Sequence, residues 1–167
     1  MRIMPVLLLL CIACGAQTKN AAPRKTAKNT PFADAALDAY DSIRFLDDNA
    51  TAPDVGFQPR QIEAEKNLAT VEHKVKTDED RRQFEVLKTW MSMISWYRDF
   101  RAPSHTTDVD VVKREIGFEM ARLYCSIEAK SIFNASELND KNKKALETHS
   151  CAADAKMALQ NVGAQVE

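Results

Sequence analysis

The chain has 167 residues, 45% of them hydrophobic and 28% charged, with a formal net charge of −1. Four glycines and six prolines exclude collagen-like and low-complexity classes, and the ordinary apolar content excludes a wholly disordered chain. A chain of this length holds one hydrophobic core without metals, and so few glycines argue against the many tight turns of a β-sandwich or barrel.

The amino terminus reads Met1-Arg2-Ile3-Met4-Pro5, then Val6-Leu7-Leu8-Leu9-Leu10-Cys11-Ile12-Ala13, then Cys14-Gly15. One positive charge, a short apolar run and small residues are the three parts of a secretory signal peptide. The run is shorter than the roughly 20 residues that span a bilayer. Ile12-Ala13-Cys14 after the leucines resembles the lipobox of bacterial lipoproteins. That family prefers Leu three residues before the cysteine, where Cys11 stands in this chain. The resemblance covers about fifteen residues. It implies removal of residues 1–13 as a signal, diacylation of the Cys14 sulfur and anchoring in a bacterial envelope membrane, the outer one in a Gram-negative cell. The alternative is ordinary cleavage after Gly15, with Ala13 satisfying the small-x-small rule, which gives a periplasmic or secreted protein.

Residues 14–33 lack apolar periodicity and are small, polar and broken by proline, which predicts a flexible tether. The segment holds Lys19, Arg24, Lys25 and Lys28 and no acid, so it carries +4 and the body from residue 34 carries −6. A basic tether suits anionic headgroups or serves simply as a solvated spacer. Four spread cations are a weak basis for nucleic-acid binding, and no nucleic-acid partner is expected.

From residue 34 to 167 the pattern is helical, with no convincing strand. The expected fold is all-α, an antiparallel bundle of about five helices. The first spans about 33–47, with Ala33, Ala36, Leu37, Tyr40 and Ile43 on one side and Phe45 and Leu46 widening it. A loop at 49–59, with Pro53, Gly56 and Pro59, ends it. Pro59 is expected to open a second helix over 60–76, as proline does in a first turn. The thin apolar side of that helix (Ile62, Leu68, Ala69, Val71, Val75) predicts a peripheral position.

Thr77-Asp78-Glu79-Asp80 caps a third helix over 78–101, the hydroxyl and the acids answering unpaired amides and the positive dipole end. Its apolar residues, from Phe84 through Trp90 and Met91 to Trp96, Tyr97 and Phe100, cover an arc of about 240°, where a surface helix needs roughly 100°. It is therefore the predicted central helix. Ala102-Pro103-Ser104 breaks the chain, and Thr107-Asp108 caps a fourth helix over 108–134. That helix has two stripes. Val109, Val112, Ile116, Met120, Leu123, Tyr124 and Ile127 form one. Val111, Phe118, Ala121, Cys125, Ala129 and Ile132 form the other. Two stripes predict two neighbours. A fifth helix over 140–163 is expected from the spacing by sevens of Ala145, Ala152 and Leu159, and of Thr148, Ala155 and Val162.

With Cys11 removed and Cys14 acylated, Cys125 and Cys151 remain as one pair in an exported chain. Their midpoint, residue 138, falls in the turn predicted between the fourth and fifth helices, so an antiparallel hairpin brings them together. A disulfide is expected, and Cys125 and Cys151 do not have the C-x-x-C spacing of a redox-active pair.

Catalytic signals are sparse. His73, His105 and His149 lie on different segments, and neither H-E-x-x-H nor a di-iron Glu-x-x-His pair is present, so no metal or cofactor is expected. Glu115 and Glu119, four apart, form an acid pair or a solvated edge. No G-x-S-x-G or phosphate loop occurs. Trp90, Trp96, Tyr97 and Phe100 line either a core or a ligand or partner surface, with Trp96 and Phe100 the candidates for exposure. The reading is a lipid-anchored helical interaction module whose partner is another envelope protein. The alternatives are a carrier with an apolar cavity against Trp90 and Met91, and an envelope enzyme whose residues cannot be named.

Overall fold

A computed structural model describes residues 30–163. The leader, with Cys11 and Cys14, and the tether up to residue 29 lie outside the described residues. Helix α1 (Pro31–Asp48) starts three residues inside the stretch read as tether. The Thr30 hydroxyl accepts the Ala33 N–H at 3.1 Å, Pro31 occupies the first turn, and Phe32 is buried in the core. A proline whose missing N–H costs nothing there and an aromatic anchor fix that start. Ala36, Ala39, Tyr40, Ile43 and Leu46 form its buried side, while Phe45 faces outward.

Helix α2 (Asp54–Glu72) departs from expectation by beginning before Pro59, which lies inside it. The reason is tertiary. Arg98, from a distant helix, donates to the carbonyls of Ala50 and Ala52 at 2.8 and 2.9 Å and pairs with Asp54. Its guanidinium lies 3.8 Å over the Phe57 ring, which is buried. Burying Phe57 contributes about 1.5–3 kcal/mol, comparable with the ~3 kcal/mol cost of an interior proline. The helix runs antiparallel to α1, joined to it by Asn67 donating to the Ser42 hydroxyl at 2.7 Å. Leu68 and Val71 point inward as expected, but Ile62 is exposed.

Helix α3 (Asp78–Phe100) opens on a full capping box. The Thr77 hydroxyl accepts the Asp80 N–H at 3.0 Å, and the Asp80 carboxylate accepts the N–H groups of Lys76 and Thr77. It is the central helix, touching α1, α2, α4 and α6. Leu87, Trp90, Met93 and Ile94 are enclosed in the core. Tyr40 and Phe133 flank one another within that core, and Tyr40 also meets Trp90, with ring centres 5.5 and 5.9 Å apart.

Helix α4 (Val109–Phe133) is capped by Asp108 and runs antiparallel to α3. One of its two stripes has the expected neighbours: Phe118, Ala121, Cys125 and Ala129 are buried between α3 and α6. The other does not. Val109, Ile116, Met120 and Leu123 face outward, and only Ile127 of that stripe is buried.

The continuous fifth helix expected over 140–163 is replaced by two short helices. A single 3-10 turn at Ala135–Glu137 is followed by α5 (Asp140–Ala145) and α6 (Cys151–Gln160). The break at 146–150 follows from a second set of caps. The Ser150 hydroxyl accepts the Ala153 N–H, Asp154 accepts the Ser150 N–H, and Glu128 of α4 accepts the Cys151 N–H at 2.7 Å. These partners satisfy amides that a new helix start leaves open, so the spacing by sevens does not describe one helix. The architecture is an all-α antiparallel bundle of six helices among the described residues.

Candidate functional site

Cys125 and Cys151 form a disulfide, with S–S 2.04 Å and a sequence separation of 26. Both residues are buried. The hairpin symmetry about residue 138 holds beyond the bridge: Gly117 of α4 lies opposite Ala158 of α6, near enough that a β-carbon at 117 would meet it at ordinary van der Waals distance. Small residues on both helices allow that approach.

The four aromatic candidates separate into two pairs. Trp90 is 0% exposed and Tyr97 is buried, so both belong to the core and not to a surface. Trp96 and Phe100 are half-buried and stack on Phe118, with centres 5.4–5.6 Å apart. That three-ring stack joins α3 to α4. The two main surface grooves are lined by neither Trp90 nor Met91.

Two arginines that the sequence did not single out hold the bundle's corner. Arg98 clamps the α1–α2 loop as described. Arg122 donates to the Asp47 carboxylate at 2.8 Å and to its carbonyl at 2.9 Å, and lies 4.7 Å over the Tyr97 ring. The pair is largely buried. Burial pushes the Asp47 carboxyl above the usual carboxylate range, against the pull of Arg122. The Trp90 indole N–H approaches the same carboxylate without reaching hydrogen-bond geometry.

A groove of about 700 Å³ runs between α4 and α6. Ile116, Met120 and Met157 form its walls, and Gly117, Ala121 and Ala158 form its floor. At one end the Tyr124 ring stacks on His149, centres 3.8 Å apart and planes within 6°. His149 Nδ1 sits 3.1 Å from the Asp154 carboxylate, which also caps Ser150. The arrangement is an imidazole fixed by a carboxylate and a ring face, with its second nitrogen left for another partner. No serine, threonine or cysteine is among the described residues that line the groove.

The acid pair divides. Glu115 accepts the Ala102 N–H at 3.1 Å and closes the α3–α4 break, whereas Glu119 is exposed. His105 sits in that break at φ 76°, a left-handed conformation histidine tolerates better than most residues. His73 follows the end of α2. No group of three or more His, Cys, Asp or Glu among the described residues is placed to hold a metal ion. No helix of the described residues is long and apolar enough to cross a membrane.

The site residues missed by sequence reasoning are therefore Ile116, Met120 and Leu123 on α4 and Met157 on α6. The α4 stripe was visible as a stripe. What most of it lacks is a neighbour among the described residues. Compared with known proteins, the chain matches no family model, no curated protein and no solved structure.

Proposed function

We propose that this chain is a helical interaction module tethered to a bacterial envelope membrane through acylated Cys14. The observation that carries the reading is the buried Cys125–Cys151 bridge behind a lipobox-like leader. Buried structural disulfides persist in oxidising compartments outside the cytosol, which is where such a leader delivers a chain. Two or three acyl chains hold a protein on a membrane almost irreversibly, at about 0.8 kcal/mol per buried CH₂. The exposed apolar side of α4 supplies the surface for interaction.

The test is membrane fractionation of the full chain and of Cys14→Ser, with intact mass of the purified membrane form. Acylation adds the mass of the lipid at Cys14, and Cys14→Ser moves the protein to the soluble fraction. An unacylated mass, or a Cys14→Ser protein that stays with the membrane, overturns the anchor.

A further inference from the structure

Among the described residues, five of the nine exposed large apolar ones lie on α4, and three of them, Ile116 at 51%, Met120 at 39% and Leu123 at 47%, follow one another along one line. At ~100° per residue, Val109, Val112, Ile116, Met120 and Leu123 fall within about 80° of arc. The steps from Val112 to Leu123 are four, four and three, close to 3.67 residues per turn, so the seam runs nearly straight along the helix. Such a strip on the longest helix has the form of a helix-pairing seam, not of scattered surface residues.

The edges of the strip say what covers it. Asp108 and Glu119 lie along one edge; Lys113 and Tyr124, with His149 stacked on it, lie along the other. All of these are exposed or part-exposed. Glu119 makes no ion pair among the described residues, and the Lys113–Asp110 contact is a loose 3.9 Å. In a parallel helix pair each edge meets the opposite edge of its neighbour about five residues further along. Asp108, whose carboxylate also caps α4, then meets Lys113 of a second copy. Glu119 meets the Tyr124–His149 stack of that copy. Both meetings occur twice, once on each side of the two-fold axis. An antiparallel pair instead brings each edge against its own kind and leaves Glu119 without a donor.

We propose that α4 is a self-association face, on which a second copy of this chain packs its own α4 in parallel to form a two-fold dimer. Parallel packing also sets Pro31 of both copies at one end of the dimer. That placement starts two tethers from one side of the dimer, toward one membrane; this agreement rests on the proposed anchor, while the pairing itself does not.

The experiment uses the full chain with Cys11→Ser and Cys14→Ser, which removes other free thiols and any dependence on acylation. Met120→Cys is added and the protein is oxidised and run without reductant. The parallel dimer brings the two copies of residue 120 together and gives a band of doubled mass. In the antiparallel register centred on Ile116, residue 120 faces residue 112 and no such band forms. The same chain without the added cysteine sediments as a dimer, and Ile116→Glu with Leu123→Glu weakens that dimer by at least about 30-fold. Circular dichroism of the double variant stays helical, because both positions are surface positions. A monomer at all concentrations overturns the proposal. So does a dimer indifferent to both glutamates, or one that does not cross-link through residue 120.

Discussion

Replacing both Cys125 and Cys151 by alanine tests how α6 is held. The bridge spans a sequence separation of 26, which in the chain-entropy account corresponds to about 3.5 kcal/mol at 25 °C. The other buried side chains of α6 are Ala155 and Ala158, with Leu159, and Val162 just past its end, only partly covered. These bury far less than the side chains of Val, Leu or Phe size that contribute about 1.5–3 kcal/mol each. The remaining attachments are the Cys151 N–H bond to Glu128 and the Tyr124–His149 stack. Without the bridge, α6 therefore comes away before the rest of the bundle. Urea unfolding of the variant should show a loss of roughly 3–5 kcal/mol. Hydrogen exchange should show the amides of 153–160 opening well before those of α3. A loss below about 1 kcal/mol, or α6 amides still protected like those of α3, refutes this account of how α6 is held.

The corner built on Arg122 gives a second expectation. Arg122→Ala leaves the largely buried Asp47 carboxylate without its partner, and urea unfolding should register a loss of about 2–4 kcal/mol. A change under ~1 kcal/mol would mean that solvent or Trp90 replaces the guanidinium. Thr77→Ala removes the capping box of α3 and should cost about 1 kcal/mol; a thermal melt indistinguishable from the parent contradicts it. Asp47 also has a pH signature. Its native pKa is raised, so its contribution to stability is complete below the unfolded value of about 3.9 and is lost as pH rises through the native value. The parent should therefore gain stability relative to Asp47→Asn as pH falls from neutral toward that unfolded value, and a constant difference between the two unfolding curves refutes the upward shift. Glu79 and Asp80 act in the opposite direction. Hydrogen bonds from Arg82 and Gln83 hold Glu79 below the usual range. Burial pushes Asp80 up, but the N–H groups of Lys76 and Thr77 and the Thr77 hydroxyl together pull it below. Their contribution is present above the ordinary carboxylate range and lost as pH falls through the native values.

What the sequence shows best is what depends on neighbours along the chain. The capping box at Thr77 and the wide apolar arc of 78–101 are local, and both stand where the pattern puts them. The Cys125–Cys151 bridge is legible because a hairpin turns sequence distance into a symmetry about one residue. The start of α2 and the break before α6 are not legible for the complementary reason. Each depends on one side chain from far along the chain: Arg98 on carbonyls 46 and 48 residues away, and Glu128 on an amide 23 residues away. Pro59 reads as a helix start because nothing near it announces that Phe57 will be covered by a guanidinium.

The two stripes of α4 show where periodicity stops being informative. Both are apolar at helical spacing, and periodicity alone says that each has a neighbour. The run of small residues at the middle of one stripe separates them. The stripe with Ala121, Cys125 and Ala129 lets α3 and α6 approach closely and is closed by the chain itself. The stripe with Ile116, Met120 and Leu123 presents larger side chains that the described residues leave uncovered. If a second copy covers them, folding and association become linked, and stability rises with protein concentration. Ile116→Ala then removes little from a dilute monomer, where half of that side chain already meets water, and removes most of the concentration dependence of the melting temperature.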